Sequence, residues 1–180
     1  MKNNYLLPLI SDIIENISTK MFTKMNLRGY NNKRIKERDE WKTVFTTPEG
    51  SFEPTVMFFG LTNSPATFQT IVNELLRDLI NTRKVVVFID NVIVRMEDKE
   101  GYDELVAEII KRLEENDLYI KLEKYKWKVR EVGFLGVVIR LEEIKMEEEK
   151  VKGVLDWPRP KYVKDVQKFL GLANYYYQFI

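Results

Sequence analysis

The chain has no cysteine and no histidine in 180 residues. The first absence excludes disulfides, thiolate metal sites and cysteine nucleophiles. The second excludes imidazole bases, histidine-containing triads and histidine-bound zinc. Any metal must then be held by oxygen ligands, which favours a hard ion such as magnesium, manganese or calcium. No apolar run reaches membrane-spanning length and no signal peptide opens the chain, so no membrane partner and an intracellular location are expected. A formal net charge of +1 provides no global basic field, so any attraction to polyanions must be local. No glycine-rich phosphate loop follows a strand-like segment, which argues against Rossmann and P-loop nucleotide sites.

What is present can build a core. The chain is 44% hydrophobic, 12% aromatic and 32% charged, a composition outside the disordered class. Its length suits one domain, or one plus a small appendage. After Pro8, Leu9, Ile13 and Ile17 fall at helical spacing with Ser11 or Asp12 as cap, and "KMFTKMNL" reads as a strand. Residues 33–47 read as a strand pair with "PEG" as the turn. In "SPATFQTIVNELLRDLIN", Ser64 reads as cap and Pro65 as first turn. Phe68, Ile71, Val72, Leu75, Leu76 and Leu79 form the apolar face of that helix.

"RKVVVFIDNVIVRM" reads as a β-hairpin with "DN" at its tip. Leu105, Val106, Ile109, Ile110 and Leu113 mark the next helix, and "EVGFLGVVIRL" a further hairpin. "DWPRPK" is a stiff connector before a last helix, "VKDVQKFLGLANYYYQFI". The order predicts an α/β (α+β) layered domain, a mainly antiparallel sheet with helices on one face, and a helical start of something else.

Asp90 is the chemical oddity, one carboxylate among Val85, Val86, Val87, Phe88, Ile89, Val92 and Ile93. Burying it unpaired is unfavourable. It is either a ligand that needs partners or a turn carboxylate open to water. Two stretches are locally basic. Lys20, Lys24, Arg28, Lys33, Arg34, Lys36, Arg38 and Lys42 form one; Lys121, Lys124, Lys126, Lys128 and Arg130, interleaved with Tyr119, Tyr125 and Trp127, form the other. They suit contacts along a phosphate backbone, or are solvated faces. "EEIKMEEEK" reads as a solvated surface.

Several blocks together resemble the reverse transcriptases of gypsy-type long-terminal-repeat retrotransposons. They are "FTKMNLRGYNNKRIKERDEWKTVFTTPEGSFE", "VMFFGLTNSPATFQ", "VVVFIDNVIV", "VGFLGVVI" and "DWPRPKYVKDVQKFLGLANYYYQFI", in that order. The resemblance runs from "YLLPLI" to Ile180. It implies a right-handed polymerase palm over 1–140, with the fingers largely missing, and the start of a thumb or connection over 141–180. It implies RNA-directed DNA polymerisation on an RNA or DNA template-primer with deoxynucleoside triphosphates and two Mg2+ (or Mn2+) ions, in the cytoplasm, a virus-like particle or the nucleus. Two hard ions at close range need several anionic oxygens.

The family places one Asp on a strand and an Asp pair on a facing hairpin. Here Asp90 keeps the first hairpin position, Asn91 stands at the second, and Asn26 stands at the strand position. Asparagine keeps a carbonyl oxygen but loses the charge that attracts a dication. The expectation is a degenerate site, with Asn26 the more damaging change, and a truncated copy with weak or no polymerase activity. The resemblance also implies nucleotide or template contacts by Arg28, Tyr30, Phe59, Gly60 and Gln69, and a primer grip at Phe134, Leu135 and Gly136. Asn26 and Asn91 remain readable as turn or strand-end residues, Gln69 as a helix-surface amide, and Phe134–Gly136 as a core strand with a bulge. Tyr30 is one residue out of register, Pro54 removes a ladder donor, Phe58 replaces a proline, and Glu143 stands where a turn glycine is usual. "YYY" at 175–177 reads as helix packing. The alternatives are a non-catalytic nucleic-acid-binding remnant or host-retained binding module, and a pseudogene product without function.

Overall fold

The computed structural model describes residues 21–29, 32–58, 60–96, 100–141 and 143–177. The helix expected at Leu9 to Ile17 lies outside them. The central strand is β1 (Met21–Arg28). It pairs antiparallel with β5 (Asn91–Met96), in register from Met21↔Met96 to Asn26↔Asn91. Beyond β5 lies β4 (Val85–Phe88), joined to it as a hairpin. On its other edge β1 meets β6 (Tyr119–Ile120) and β7 (Lys126–Val129), both antiparallel.

Side chains alternate across this sheet with period two. Met25, Leu27, Val85, Val87, Val92 and Val94 face one way and are buried. They pack on Phe68 and Val72 of α1 (Ser64–Leu75) and on Tyr102, Val106, Ile109 and Leu113 of α3 (Tyr102–Glu114). Each such buried side chain contributes roughly 1.5–3 kcal/mol. The expected long helix is interrupted at Leu76, where φ is −111° and ψ 16°, and α2 (Arg77–Asn81) follows. Leu76 is fully buried, so packing outweighs helical continuity there. Leu75 and Leu79 are only partly buried against the same core.

The other face is not open. It is covered by a second antiparallel sheet of β8 (Glu131–Phe134), β9 (Val137–Arg140) and β10 (Glu143–Met146). Phe22 and Ile93 of the large sheet pack there with Val132, Phe134, Val137 and Ile139. "EVGFLGVVIRL" is therefore a hairpin as read, with a third strand added. Glu143 opens β10 opposite Arg140, and the strained backbone expected of it is absent. The acidic run is thus partly strand rather than only solvated surface.

Residues 33–47 are not a strand pair. They hold a 3-10 turn at Glu40–Thr43, and β2 (Phe45–Thr47) pairs with β3 (Gly50–Phe52) around Pro48 and Glu49. Pro54 lies beyond β3, so no rung of that ladder is lost to it. After β10 come α4 (Glu148–Leu155) and α5 (Val163–Tyr176), separated by the proline connector. Tyr176 is buried in the small sheet's cluster, and Tyr175 donates a hydrogen bond to the Leu135 carbonyl at 3.1 Å.

Candidate functional site

The β4–β5 turn is Ile89–Asp90, one residue earlier than the expected "DN" tip. Asn91 is the first residue of β5, and Phe88, Asn91 and Asn26 form one row across three strands. Ile89 has φ +53°, an unfavourable conformation for a β-branched residue. Two long-range bonds hold it. The Ile89 amide donates to Gln69 Oε1 at 2.6 Å, and the Leu27 amide donates to the Asp90 carbonyl at 2.7 Å.

Within the row the side chains bond to one another. Asn26 Nδ2 donates to Asn91 Oδ1 at 2.8 Å, and Asn91 Nδ2 donates to Asp90 Oδ1 at 2.8 Å. Asn26 is buried, while the Asp90 side chain is 37% exposed. Asp90 therefore escapes the apolar burial that its neighbours suggested, by sitting in the turn rather than the strand.

The charges around the row are positive. The Lys121 amide donates to the Asn26 carbonyl at 2.8 Å, and its Nζ lies 3.9 Å from Asp90 Oδ2. Lys24, on the same face of β1, donates from Nζ to the Gly133 carbonyl at 2.6 Å. Burial, and then the nearby Lys126 ammonium, hold the Lys24 ammonium below its usual pKa. Lys24 and Lys121 belong to separate basic stretches of the sequence. Only the β1 pairings bring Lys121 beside Asp90 and Lys24 into its field.

Gln69 is neither a surface amide nor exposed. It is fully buried, and its Nε2 donates to the Val87 carbonyl at 3.1 Å and to Asn73 Oδ1 at 2.8 Å. It braces the turn that carries Asp90. Phe134 packs edge-on against Phe88 with centroids 6.4 Å apart, which brings the β8–β9 hairpin beside the row. Leu135 and Gly136 are that hairpin's turn, both at positive φ. A Cβ on Gly136 would collide with the Tyr176 hydroxyl. Gly60 is exposed at φ +103°. Arg28 lies at the exposed end of β1 and pairs with Glu123 at 3.1 Å. Tyr30 and Phe59 lie outside the described residues.

Much of the basic character is engaged internally. Lys42 pairs with Asp39, and Lys33 donates to the Asn116 carbonyl. Lys128 pairs with Asp103 and lies 5.3 Å from the Trp127 ring centroid. Among the described residues, Lys124 and Lys126 make no ion pair.

Residues 4–139 match the family model described as reverse transcriptase (RNA-dependent DNA polymerase). The chain belongs to that family. The Retrovirus-related Pol polyprotein from transposon opus of Drosophila melanogaster is 33% identical over 99% of this chain and 18% of its own length. The Transposon Tf2-7 polyprotein of Schizosaccharomyces pombe is 32% identical over 99% of this chain and 13% of its own. The chain thus spans less than a fifth of these curated relatives. Two solved structures share the fold. The foamy viral protease-reverse transcriptase in complex with RNA/DNA hybrid gives a TM-score of 0.83 at 24% identity, over 98% of this chain and 24% of that one. The dRH form in complex with ds DNA gives 0.86 at 23% identity, over 98% and 31%. The antiparallel sheet with its helices is the palm fold of these reverse transcriptases.

The residues here do not fit a pair of dications. Among the described residues no group of three acidic side chains could hold a metal ion. Asp90, in the turn, is the one anion bonded to the row, and the Asn91 and Asp90 oxygens already accept neighbouring amides.

Proposed function

We propose that the chain is the palm, over 1–140, and the start of the thumb, over 141–180, of a gypsy-type retrotransposon reverse transcriptase with weak or absent polymerisation. Asp90 is what remains of its catalytic carboxylates, with Asn26 and Asn91 as neutral substitutes. Its partner is an RNA or DNA template-primer, and nucleotide contacts fall to Arg28, Tyr30, Phe59 and Gly60. Phe134, Leu135 and Gly136 grip the primer. The observation that carries this reading is the Asn26–Asn91–Asp90 row, closed by its own hydrogen bonds and flanked by Lys121. It favours binding without catalysis, since two neutral amides stand where charge is needed for metal-assisted phosphoryl transfer.

Primer extension with magnesium, and again with manganese, tests the proposal. No extension is expected, and robust extension by the natural sequence would overturn it. Extension gained by the Asn26→Asp/Asn91→Asp variant would assign the defect to these two residues. Binding of an RNA–DNA hybrid should weaken steeply with salt, because phosphate contacts release counterions.

A further inference from the structure

We infer that the hairpin tip takes a phosphate oxyanion directly on its lysines, with no metal ion between. The inference rests on the palm reading above and specifies what its altered site now holds. β1 pairs Lys24 with Lys126 as direct cross-strand partners. Like charges so placed destabilise a sheet. Lys124 adds to the same field, and Lys121 stands on the other side of Asn26, its ammonium beside Asp90. Against these four lysines the carboxylates facing Lys24 are Asp90 and Glu147. Glu123 pairs with Arg28 and also faces Lys121.

With carboxylates at 26 and 91 the lysines would have counter-charges within the site. With amides there, positive charge is in excess and Glu147 and Asp90 offset the Lys24–Lys126 repulsion only in part. Each asparagine amide also carries two N–H donors, of which the row engages one. Lys121 and Asp90 are both partly open, so an anion can reach them. An oxyanion accepting from Lys121 and the amides would satisfy these donors and screen the lysines from one another. The same substitutions that remove affinity for a dication create affinity for the group that the dication would have bridged.

The test uses the full chain in EDTA, with inorganic pyrophosphate as probe and the side-chain amides of Asn26 and Asn91 followed by NMR. Pyrophosphate should shift both amides in EDTA, and magnesium should not be required. Lys121→Gln, a change at a partly exposed side chain, should weaken this response by about threefold or more. Pyrophosphate binding by Asn26→Asp/Asn91→Asp, which lacks both amide probes and is followed by calorimetry alongside the natural protein, should be weaker by roughly tenfold or more in EDTA and recover with magnesium. No shift of the amides, a shift that requires magnesium, or undiminished binding by the aspartate variant would overturn the inference. A labelled RNA–DNA hybrid, followed by anisotropy under the same conditions, separates the two readings. Hybrid binding without a pyrophosphate response removes this inference alone. A pyrophosphate response without hybrid binding supports the anion site and removes the template-primer reading.

Discussion

Replacing Gln69 by leucine removes the brace under the hairpin tip while keeping the volume of the side chain. The Ile89 amide loses its acceptor at 2.6 Å and the Val87 carbonyl loses a donor at 3.1 Å. An unsatisfied polar group in such a place costs about 1–3 kcal/mol. The turn is half-buried, so water replaces part of the loss at Ile89, and leucine returns about 1 kcal/mol through apolar burial. The net expectation is a destabilisation of about 2–3 kcal/mol, a large fraction of a typical domain's stability. Urea unfolding followed by circular dichroism should show an unchanged slope and a midpoint lower by roughly 1 M, for a slope of about 2 kcal/mol per M. Gln69→Glu is the companion. Its carboxylate still accepts from Ile89 but faces the Val87 carbonyl, so the folded state raises its pKa above the unfolded value. Its contribution is then full below the unfolded pKa and lost as pH rises through the folded one. This variant should therefore approach the natural protein near pH 4 and fall short of it at pH 7. A leucine variant within about 0.5 kcal/mol of the natural protein, or a glutamate variant whose deficit ignores pH, would refute the brace.

Two further outcomes follow from buried groups. Tyr102 is fully buried and donates to Thr23 Oγ1 at 2.8 Å, and burial raises its phenol from 10 to about 12. Because the folded pKa is the higher one, its stabilisation is complete below pH 10 and disappears between pH 10 and 12, a loss of up to about 2–3 kcal/mol. Urea midpoints measured across that range should fall for the natural protein, and the Tyr102→Phe variant should lack this part of the decline. Arg95 is only 9% exposed, donates Nε to the Arg83 carbonyl at 2.6 Å, and has no partner for Nη1 among the described residues. Arg95→Met should raise stability by about 1–3 kcal/mol, since the orphaned donor and its charge are removed while apolar contact is kept. A lower thermal midpoint would contradict this.

The sequence alone determined the elements whose signal repeats locally. The two β-branched runs of "VVVFIDNVIV" gave both strands of the hairpin, and the spacing of Leu105, Val106, Ile109, Ile110 and Leu113 gave α3, with Leu105 and Ile110 only partly buried. It also gave asparagine at 26 and 91 beside a lone Asp90, because identity needs no coordinates. It placed the turn one residue late, since local preference favours Asp-Asn while the tertiary bond from Gln69 holds Ile89 in a conformation it would otherwise avoid. It took "SPATFQTIVNELLRDLIN" as one helix, because periodicity does not report that Leu76 is more stable packed in the core than aligned with α1. Lys121 is 31 positions from Asp90 in the chain and meets it only through the pairing of β6 with β1. A period of two or 3.6 fixes which way a side chain points, but not what waits opposite. At this site the strand register decided that, and it set lysine beside the carboxylate and amide against amide.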